Sequence, residues 1–171
     1  MDWPPSFRCC YHCGHPEIRR LRPSVMECAA CGRHLFINPV SAVAGILIDS
    51  ENRVLLIQRA KEPARGKLSL PGGFLDPGET AEEGLSREIW EETGVKVTKF
   101  DYLASFPNRY EYDGAVYMVL DLFFHVRVPD FEGAAALDEV DAIHQIPVTD
   151  IDLNDIAFPS VARAIDLFRG R

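Results

Sequence analysis

The sequence has no cysteine after residue 31, no long apolar run and no excess of basic charge. Its longest apolar stretch, Val40 to Ile48, has the length of a strand. A membrane-spanning helix needs roughly 18 or more apolar residues, so none is predicted. The N-terminus lacks a basic segment followed by an apolar one, and we therefore expect a cytoplasmic protein without a secretory signal.

The charge balance is acidic, with a formal net charge of −8 at pH 7. Broad nucleic-acid binding needs a basic surface, so this balance argues against a nucleic-acid partner. An anionic substrate remains compatible with it, because a bound divalent cation reverses the local sign of charge. The length of 171 residues and the 47% hydrophobic content suit one ordinary domain with a small appendage.

Four of the five cysteines form two Cys-x-x-Cys-Gly motifs, at residues 10–14 and 28–32. Two thiolates at this spacing can face one ion, and the following glycine permits the tight turn. The pattern resembles a zinc ribbon over residues 1–37, in which a structural Zn²⁺ supplies much of the folding energy of the small module. The expected ligands are Cys10, Cys13, Cys28 and Cys31. Reduced cysteines without metal, a redox pair and an iron–sulfur centre are the alternatives.

The rest of the chain mixes predicted strands with two predicted helices. Thr80 and Glu83 form a capping box before a helix over residues 80–93, which Gly94 ends. A closing helix is predicted over residues 158–168. Apolar runs predict strands over residues 40–48, 53–59, 68–70, 95–104, 115–128 and 142–148. This mixture indicates an α/β sandwich.

The helix over residues 80–93 carries an unusual acidic face. Glu88, Glu91 and Glu92 lie within about 100° of one another around the axis. Like charges at these spacings destabilise a helix by roughly 0.2–0.5 kcal/mol per pair, and the C-terminal end of the dipole also disfavours anions. A solvated acidic face is the alternative, but Leu85 and Ile89 lie beside the carboxylates, so this face borders the core. An all-oxygen ligand set suits Mg²⁺ or Mn²⁺.

The segment containing this helix, residues 73–95, reads GFLDPGETAEEGLSREIWEETGV. It resembles the signature of the Nudix hydrolases, G-x5-E-x7-R-E-U-x-E-E-x-G-U with U aliphatic, and every specified position matches. The resemblance implies an α+β fold, an α/β/α sandwich with a mixed sheet, over residues 38–171. It also implies Mg²⁺-dependent (or Mn²⁺-dependent) hydrolysis of a diphosphate linkage in a nucleoside diphosphate derivative, either an ADP-ribose-like compound or a dinucleotide.

The resemblance carries roles over to particular positions. It implies that Glu88, Glu91 and Glu92 are catalytic metal ligands, and that Glu79 and Arg87 form a structural salt bridge. Glu139 lies where many relatives keep a further catalytic carboxylate; an ordinary loop acid is the alternative. The backbone of Gly72 and Gly73 is expected to contribute to the substrate site.

A zinc ribbon before such a domain is similar to the layout of NADH pyrophosphatases. Their downstream Ser-Gln-Pro-Trp-type motif is replaced here by residues 104–110, ASFPNRY, which argues against NADH as the preferred substrate. Phe106 and Tyr110 are expected to stack on a base, with Arg109 meeting phosphate, although ordinary packing aromatics give the same pattern. ADP-ribose or a related compound is therefore the expected substrate.

Two other function classes fit the same motifs. One is a nucleotide-metabolite sensor without catalysis, against which the intact acidic motif argues. The other is a hydrolase of RNA 5′ ends or caps, which would hold RNA on the ribbon; Arg19, Arg20 and Arg22 are the main basic cluster there. A homodimer is compatible with the resemblance, and no feature of the sequence decides it.

Overall fold

The structure, a computed structural model, describes residues 8–170. Its first unit is a three-stranded antiparallel sheet in the order β1-β2-β3, formed by β1 (Ile18–Arg22), β2 (Val25–Cys28) and β3 (His34–Phe36). The first seven residues of the predicted ribbon, and residue 171, lie outside the described range. This small sheet brings residues 10–14 and 28–32 to one end of the unit.

The second unit is a seven-stranded mixed sheet with two helices. The strand order is β10-β5-β4-β9-β8, with β6 paired to β5 and β7 paired to β4. Strands β4 and β9 run parallel, and the other pairs are antiparallel. The elements are β4 (Val40–Ile48), β5 (Arg53–Arg59), β6 (Leu68–Ser69), β7 (Gly72–Phe74), α1 (Ala81–Thr93), β8 (Asp101–Tyr112), β9 (Ala115–Arg127), β10 (Val140–Pro147) and α2 (Pro159–Arg169).

The two helices cover opposite faces of this sheet. Alternate residues of β4 point to opposite sides, so Ile46 packs in the core beneath α2 while Leu47 packs beneath α1. Both faces of β4 are buried, which explains why its sequence is continuously apolar rather than alternating. The α/β/α sandwich with a mixed sheet predicted from the sequence is confirmed.

The sheet divides at one end, and this division creates the site. Strands β4 and β5 pair at Ile48 and Val54, beside the turn that joins them. Farther along, β5 takes β6 as a partner and β4 takes β7. A cleft therefore opens between the two halves of the sheet on the side where α1 packs against β7.

The helices match their predicted ranges closely. The side chain of Thr80 accepts from the backbone N–H of Glu83, whose own side chain accepts from the Thr80 N–H, so the predicted capping box is confirmed. Gly94 ends α1 in the left-handed conformation, with φ of 70°. Neither helix within residues 8–170 combines the length and apolar content needed to cross a membrane.

The predicted strand over residues 95–104 begins six residues too early and ends too soon. The chain is irregular up to residue 100, and β8 runs over Asp101–Tyr112. Val97 and Phe100 pack in the core beneath α1, and the Ser86 hydroxyl donates to the Val97 carbonyl at 2.9 Å. These apolar residues pack against a helix, and this packing rather than strand pairing explains the apolar run.

A core substitution tests the packing of α2 on the sheet. Ile165 is 1% exposed, and Ile165→Ala removes buried methyl groups and leaves a cavity. We expect the free energy of unfolding to fall by about 2–5 kcal/mol, measured by urea denaturation. Leu167→Ala on the same helix is the control: Leu167 is 41% exposed, and a change above about 1 kcal/mol there would contradict this packing.

Candidate functional site

One cavity of about 410 Å³ lies at the cleft in the sheet. Its acidic wall is formed by Glu88, Glu91 and Glu92, which α1 directs toward β7. Residues of β4, β8 and β9 and the start of α2 form the opposite wall. The three carboxylates predicted as metal ligands are thus brought together at one surface.

The glycines of β7 allow the backbone to approach these carboxylates closely. A Cβ atom on Gly73 would lie 2.5 Å from Glu88 Oε1, so any side chain there would displace Glu88. At Gly72, φ is +147°, and a Cβ would lie 2.1 Å from the Val43 carbonyl oxygen. The Gly72 N–H donates to Glu92 Oε2 at 2.8 Å. Both predicted glycines therefore line the cavity and position its acids.

Arg87 holds the acidic wall together. Its Nη2 lies 2.7 Å from Glu79 Oε1, and its Nη1 lies 2.9 Å from Glu88 Oε1 and 3.1 Å from Glu91 Oε2. It also donates to the Phe74 carbonyl at 3.1 Å, which ties α1 to β7. The hydrogen bond to Glu79 raises the pKa of Arg87 further above its ordinary value. The guanidinium thus compensates part of the negative charge that α1 gathers.

Burial makes two of the carboxylates costly to ionise. Desolvation raises the pKa of Glu92 to about 8, although the Gly72 N–H acts in the opposite direction. Desolvation also raises the pKa of Glu88, against the opposing effect of Arg87. A divalent cation bound here would favour the ionised forms of both groups. Carboxylate oxygens alone form this cluster, which is the donor chemistry that Mg²⁺ prefers.

The loop before β10 brings two further acids to the cavity. Its backbone N–H groups satisfy the free carbonyls at the C-terminal end of α1, through the pairs Ala135 to Thr93, Leu137 to Glu92 and Asp138 to Glu91. Because the loop is fastened there, Asp138 and Glu139 line the cavity. Glu139 has φ of 55°, and its carboxylate lies 2.6 Å from Lys61 Nζ.

The structure separates the three predicted substrate contacts of β8. Tyr110 lines the cavity and lies 5.7 Å from Phe158, ring centre to ring centre. Arg109 is absent from the cavity lining because neighbouring strand residues point to opposite faces, and it pairs with Glu111 at 2.7 Å. Phe106 is partly buried beneath α2, with the guanidinium of Arg163 4.2 Å above its ring.

Sequence reasoning missed several residues of the opposite wall. Asp121 and Asn108 are buried polar residues that line the cavity. An aspartate in the middle of the apolar run of β9 was a visible signal for a buried polar role. Other cavity residues had no comparable signal, since their approach depends on tertiary packing: Arg59, Phe74, Asp76 and Phe158.

The four cysteines of the ribbon form a second cluster. Their sulfur atoms all lie within 4.8 Å of one another. The Cys10–Cys31 and Cys13–Cys28 sulfur distances are 3.8 and 3.6 Å, and Zn–S bonds of about 2.3 Å place tetrahedral sulfurs about 3.8 Å apart. Gly14 and Gly32 have φ of 73° and 69°, as the predicted turns require. The donor set and its spacing fit Zn²⁺.

Backbone N–H groups prepare one thiol of this cluster for ionisation. Hydrogen bonds from the backbone of Cys13 and then His12 lower the pKa of Cys10. The backbone hydrogen bond with His15 lowers the pKa of Cys13, but desolvation and the neighbouring thiols outweigh it, so that this pKa is raised. The His12 nitrogen lies 3.4 Å from the Cys10 sulfur. A thiol of this kind is readily converted to the thiolate that binds metal.

Zinc content tests the thiol cluster. We expect one zinc ion per chain by elemental analysis of protein purified without added metal. Cys31→Ser removes one of four ligands and is expected to lower both zinc content and the melting temperature, because metal binding supplies folding energy to so small a unit. Cys9→Ser is the matched control and should change neither quantity. Bound iron with visible absorption, or retention of full zinc by Cys31→Ser, would contradict this assignment.

The salt bridge between Glu79 and Arg87 predicts a pH-dependent stability. Arg87, and then the Asp76 N–H, lower the pKa of Glu79. The salt bridge therefore contributes to the free energy of unfolding above the unfolded-state pKa of Glu79, about 4.3. This contribution is lost as the pH falls through the lower folded-state pKa of Glu79. We expect Glu79→Gln to unfold at lower denaturant concentration than the native chain at pH 7, with a difference that shrinks below about pH 4. The exposed Glu132→Gln is the control, and a difference that grew on acidification would contradict this sign.

Comparison with known proteins gives concordant results. A profile of the NUDIX domain matches residues 38–168. An ADP-ribose pyrophosphatase of Methanocaldococcus jannaschii is 47% identical over 77 residues, which is 44% of this chain and 45% of that protein. The NAD-capped RNA hydrolase NudC of Chromobacterium violaceum is 36% identical over 119 residues, which is 64% of this chain and 44% of that protein. The chain thus matches less than half of the length of these curated relatives.

Solved structures resemble the chain over most of its length. A NUDIX hydrolase from Nitrosomonas europaea superposes with a TM-score of 0.68 at 27% identity, covering 92% of this chain and 87% of that one. The NUDIX domain of Shewanella oneidensis NrtR, crystallised with ADP ribose, shares the fold with a TM-score of 0.66 at 23% identity, covering 80% of this chain and 90% of that one. Since the profile matches more than half of the sequence, the chain belongs to the NUDIX domain family.

Proposed function

We propose that this chain is a Mg²⁺-dependent (or Mn²⁺-dependent) hydrolase that cleaves the diphosphate linkage of a nucleoside diphosphate derivative. The observation that carries the proposal is the convergence of Glu88, Glu91 and Glu92 on one cavity, against the glycine backbone of β7. Membership of the NUDIX family and the names of the matched relatives support it.

The residues of the site divide the work between binding and proton transfer. Glu88, Glu91 and Glu92 hold the cation, which when bound neutralises diphosphate charge and orients water for attack. Arg87 keeps Glu88 and Glu91 in place through its hydrogen bonds. A base needs a pKa near the operating pH and access to the attacking water. Two carboxylates are candidates for this base: Glu92, which accepts from the Gly72 N–H in the cavity, and Glu139, which is exposed and held by Lys61.

ADP-ribose is the substrate that we propose first. A relative at 47% identity is named an ADP-ribose pyrophosphatase, and the matched part includes less than half of that protein. The cavity suits such a molecule because it joins an acidic, cation-binding wall to an aromatic one. Phe74, Tyr110 and Phe158 supply the aromatic rings, with Phe74 and Tyr110 centred 5.4 Å apart.

NAD-capped RNA is a second candidate substrate, since the Chromobacterium violaceum relative and several others are named for that activity. Its cap contains the same kind of diphosphate linkage. The ribbon carries exposed arginines and exposed Tyr11 and Phe36, which are residue types that bind single-stranded RNA. The structural Zn²⁺ that we propose for the ribbon would hold that surface in shape. A reducing cytoplasmic setting keeps the thiols available for the metal.

The acidic wall is tested by Glu92→Gln in the zinc-loaded chain. Removal of a residue that hydrogen-bonds to a metal ligand typically lowers activity by about 10- to 100-fold. Because Glu92→Gln removes a ligand itself, we expect the rate of ADP-ribose hydrolysis with Mg²⁺ to fall by more than this. The assay separates AMP and ribose 5-phosphate by chromatography. Glu82→Gln, an exposed glutamate in the first turn of α1, is the matched control and should keep native activity.

Three results would count against this proposal. Full activity of Glu92→Gln would exclude the acidic wall as the catalytic centre. Activity without any divalent cation would exclude its proposed use of the metal. Binding of ADP-ribose without cleavage, seen as a raised melting temperature, would favour a sensor.

Faster cleavage of NAD-capped RNA than of ADP-ribose would make NAD-capped RNA the first candidate substrate.

A further inference from the structure

A polar cluster lies buried in the otherwise apolar wall of the cavity, away from α1. Asp121 is 7% exposed on β9, and its Oδ2 accepts a hydrogen bond from the Ser160 hydroxyl at 2.5 Å. Asn108, on the neighbouring strand β8, also donates to this carboxylate. Asp121 and Asn108 both line the cavity. Three buried polar side chains from three elements therefore meet at one point of the cavity wall.

The Asp121 carboxylate does not evidently stabilise the fold. Burying a carboxylate is costly unless its charge is compensated, and both of its partners here are neutral. Accordingly, desolvation raises the pKa of Asp121, while Ser160 and Asn108 act in the opposite direction. An ionised carboxylate has about four acceptor positions, and these two donors use two of them. Acceptor capacity therefore remains at a group that borders the cavity.

The register of the sheet sets the distance between this cluster and the acidic wall. Asp121 lies opposite Ala42 of β4, and Ala42 lies opposite Phe74 of β7. Two strand spacings amount to about 10 Å. The Glu88 carboxylate packs against Gly73, the residue before Phe74. Asp121 lies on the α2 side, where it bonds to Ser160, whereas Glu88 lies on the α1 side, and both line the one cavity at the division of the sheet. A substrate with its diphosphate at α1 can therefore pass through this division and place its base beside Asp121.

In its ionised form the Asp121 carboxylate can only accept hydrogen bonds. It repels phosphate and the carbonyl oxygen of an oxo-purine, and it attracts a neutral N–H donor. This inference rests on the proposed function, whose substrate it specifies. We propose that Asp121, held by Ser160 and Asn108, accepts a hydrogen bond from the exocyclic amine of the substrate base, so that the site takes adenine and rejects hypoxanthine.

The size of the expected preference follows from a hydrogen bond to a charged group. Replacing the amine of adenine with the carbonyl of hypoxanthine removes the donor and sets an acceptor against an acceptor. We expect a preference of about 10- to 100-fold for the adenine compound. The aromatic wall of Tyr110 and Phe158 contacts both bases in the same way, so stacking does not produce this difference.

Binding of AMP and IMP by isothermal titration calorimetry tests the proposal without requiring catalysis. The native chain should bind AMP about 10- to 100-fold more tightly than IMP. In Asp121→Asn the amide can donate as well as accept, so the ratio should fall to near one or reverse. Asp141→Asn, at an exposed position of β10, is the matched control and should keep the native ratio. The same comparison is then made on kcat/KM with ADP-ribose and its hypoxanthine analogue.

Equal affinity of the native chain for AMP and IMP would overturn the proposal, whether or not Asp121→Asn folds. A parallel loss of both nucleotides in Asp121→Asn, with the ratio unchanged, would also overturn it and leave Asp121 as a packing residue. A preference for AMP that depends on Asp121, in a chain that hydrolyses neither substrate, would support this inference while the proposed hydrolase function fails. Hydrolysis of ADP-ribose and its hypoxanthine analogue at equal kcat/KM would contradict this inference while supporting the proposed hydrolase function.

Discussion

Contact between the backbone of β7 and the carboxylates of α1 is the constraint on which the site depends. The Glu88 carboxylate occupies the space that a side chain at residue 73 would take, and Glu92 accepts the Gly72 N–H. This contact partly buries acids that repel one another at the unfavourable end of a helix dipole. Arg87 and the loop before β10 make the arrangement tolerable, the first by charge and the second by satisfying the last carbonyls of α1. The carboxylates of α1 keep an excess of negative charge, which a divalent cation would neutralise.

The same principle, with different ligands, shapes the ribbon. Four sulfur atoms are gathered within 4.8 Å in a unit whose buried apolar residues are few, among them Val25 and Leu35. The His12 N–H donates to the Cys10 sulfur, and Gly14 and Gly32 close the two turns in the left-handed conformation. In both clusters the polypeptide pre-organises anionic ligands at a cost to its own stability. The gathered ligands fit soft Zn²⁺ in one case and hard Mg²⁺ in the other.

Local patterns made much of this molecule predictable. Thr80, Glu83 and Gly94 determine α1 through hydrogen bonds within a few residues, and the spacing of its glutamates follows from helix geometry alone. The misplaced strand before β8 and the outward direction of Arg109 depend on which face of an element packs against its neighbours. Asp121 and Phe158 reach the cavity because β9 and the start of α2 meet it from distant parts of the chain. No local pattern contains that information.

Anomalous diffraction from crystals grown with Mn²⁺ measures the central claim most directly. The account predicts an anomalous peak between the carboxylates of Glu88, Glu91 and Glu92, within about 2.5 Å of their oxygen atoms. It predicts a separate zinc peak at the four ribbon sulfurs. A manganese peak elsewhere in the cavity, or none at saturating Mn²⁺ with Arg87 still bound to Glu88 and Glu91, would contradict it.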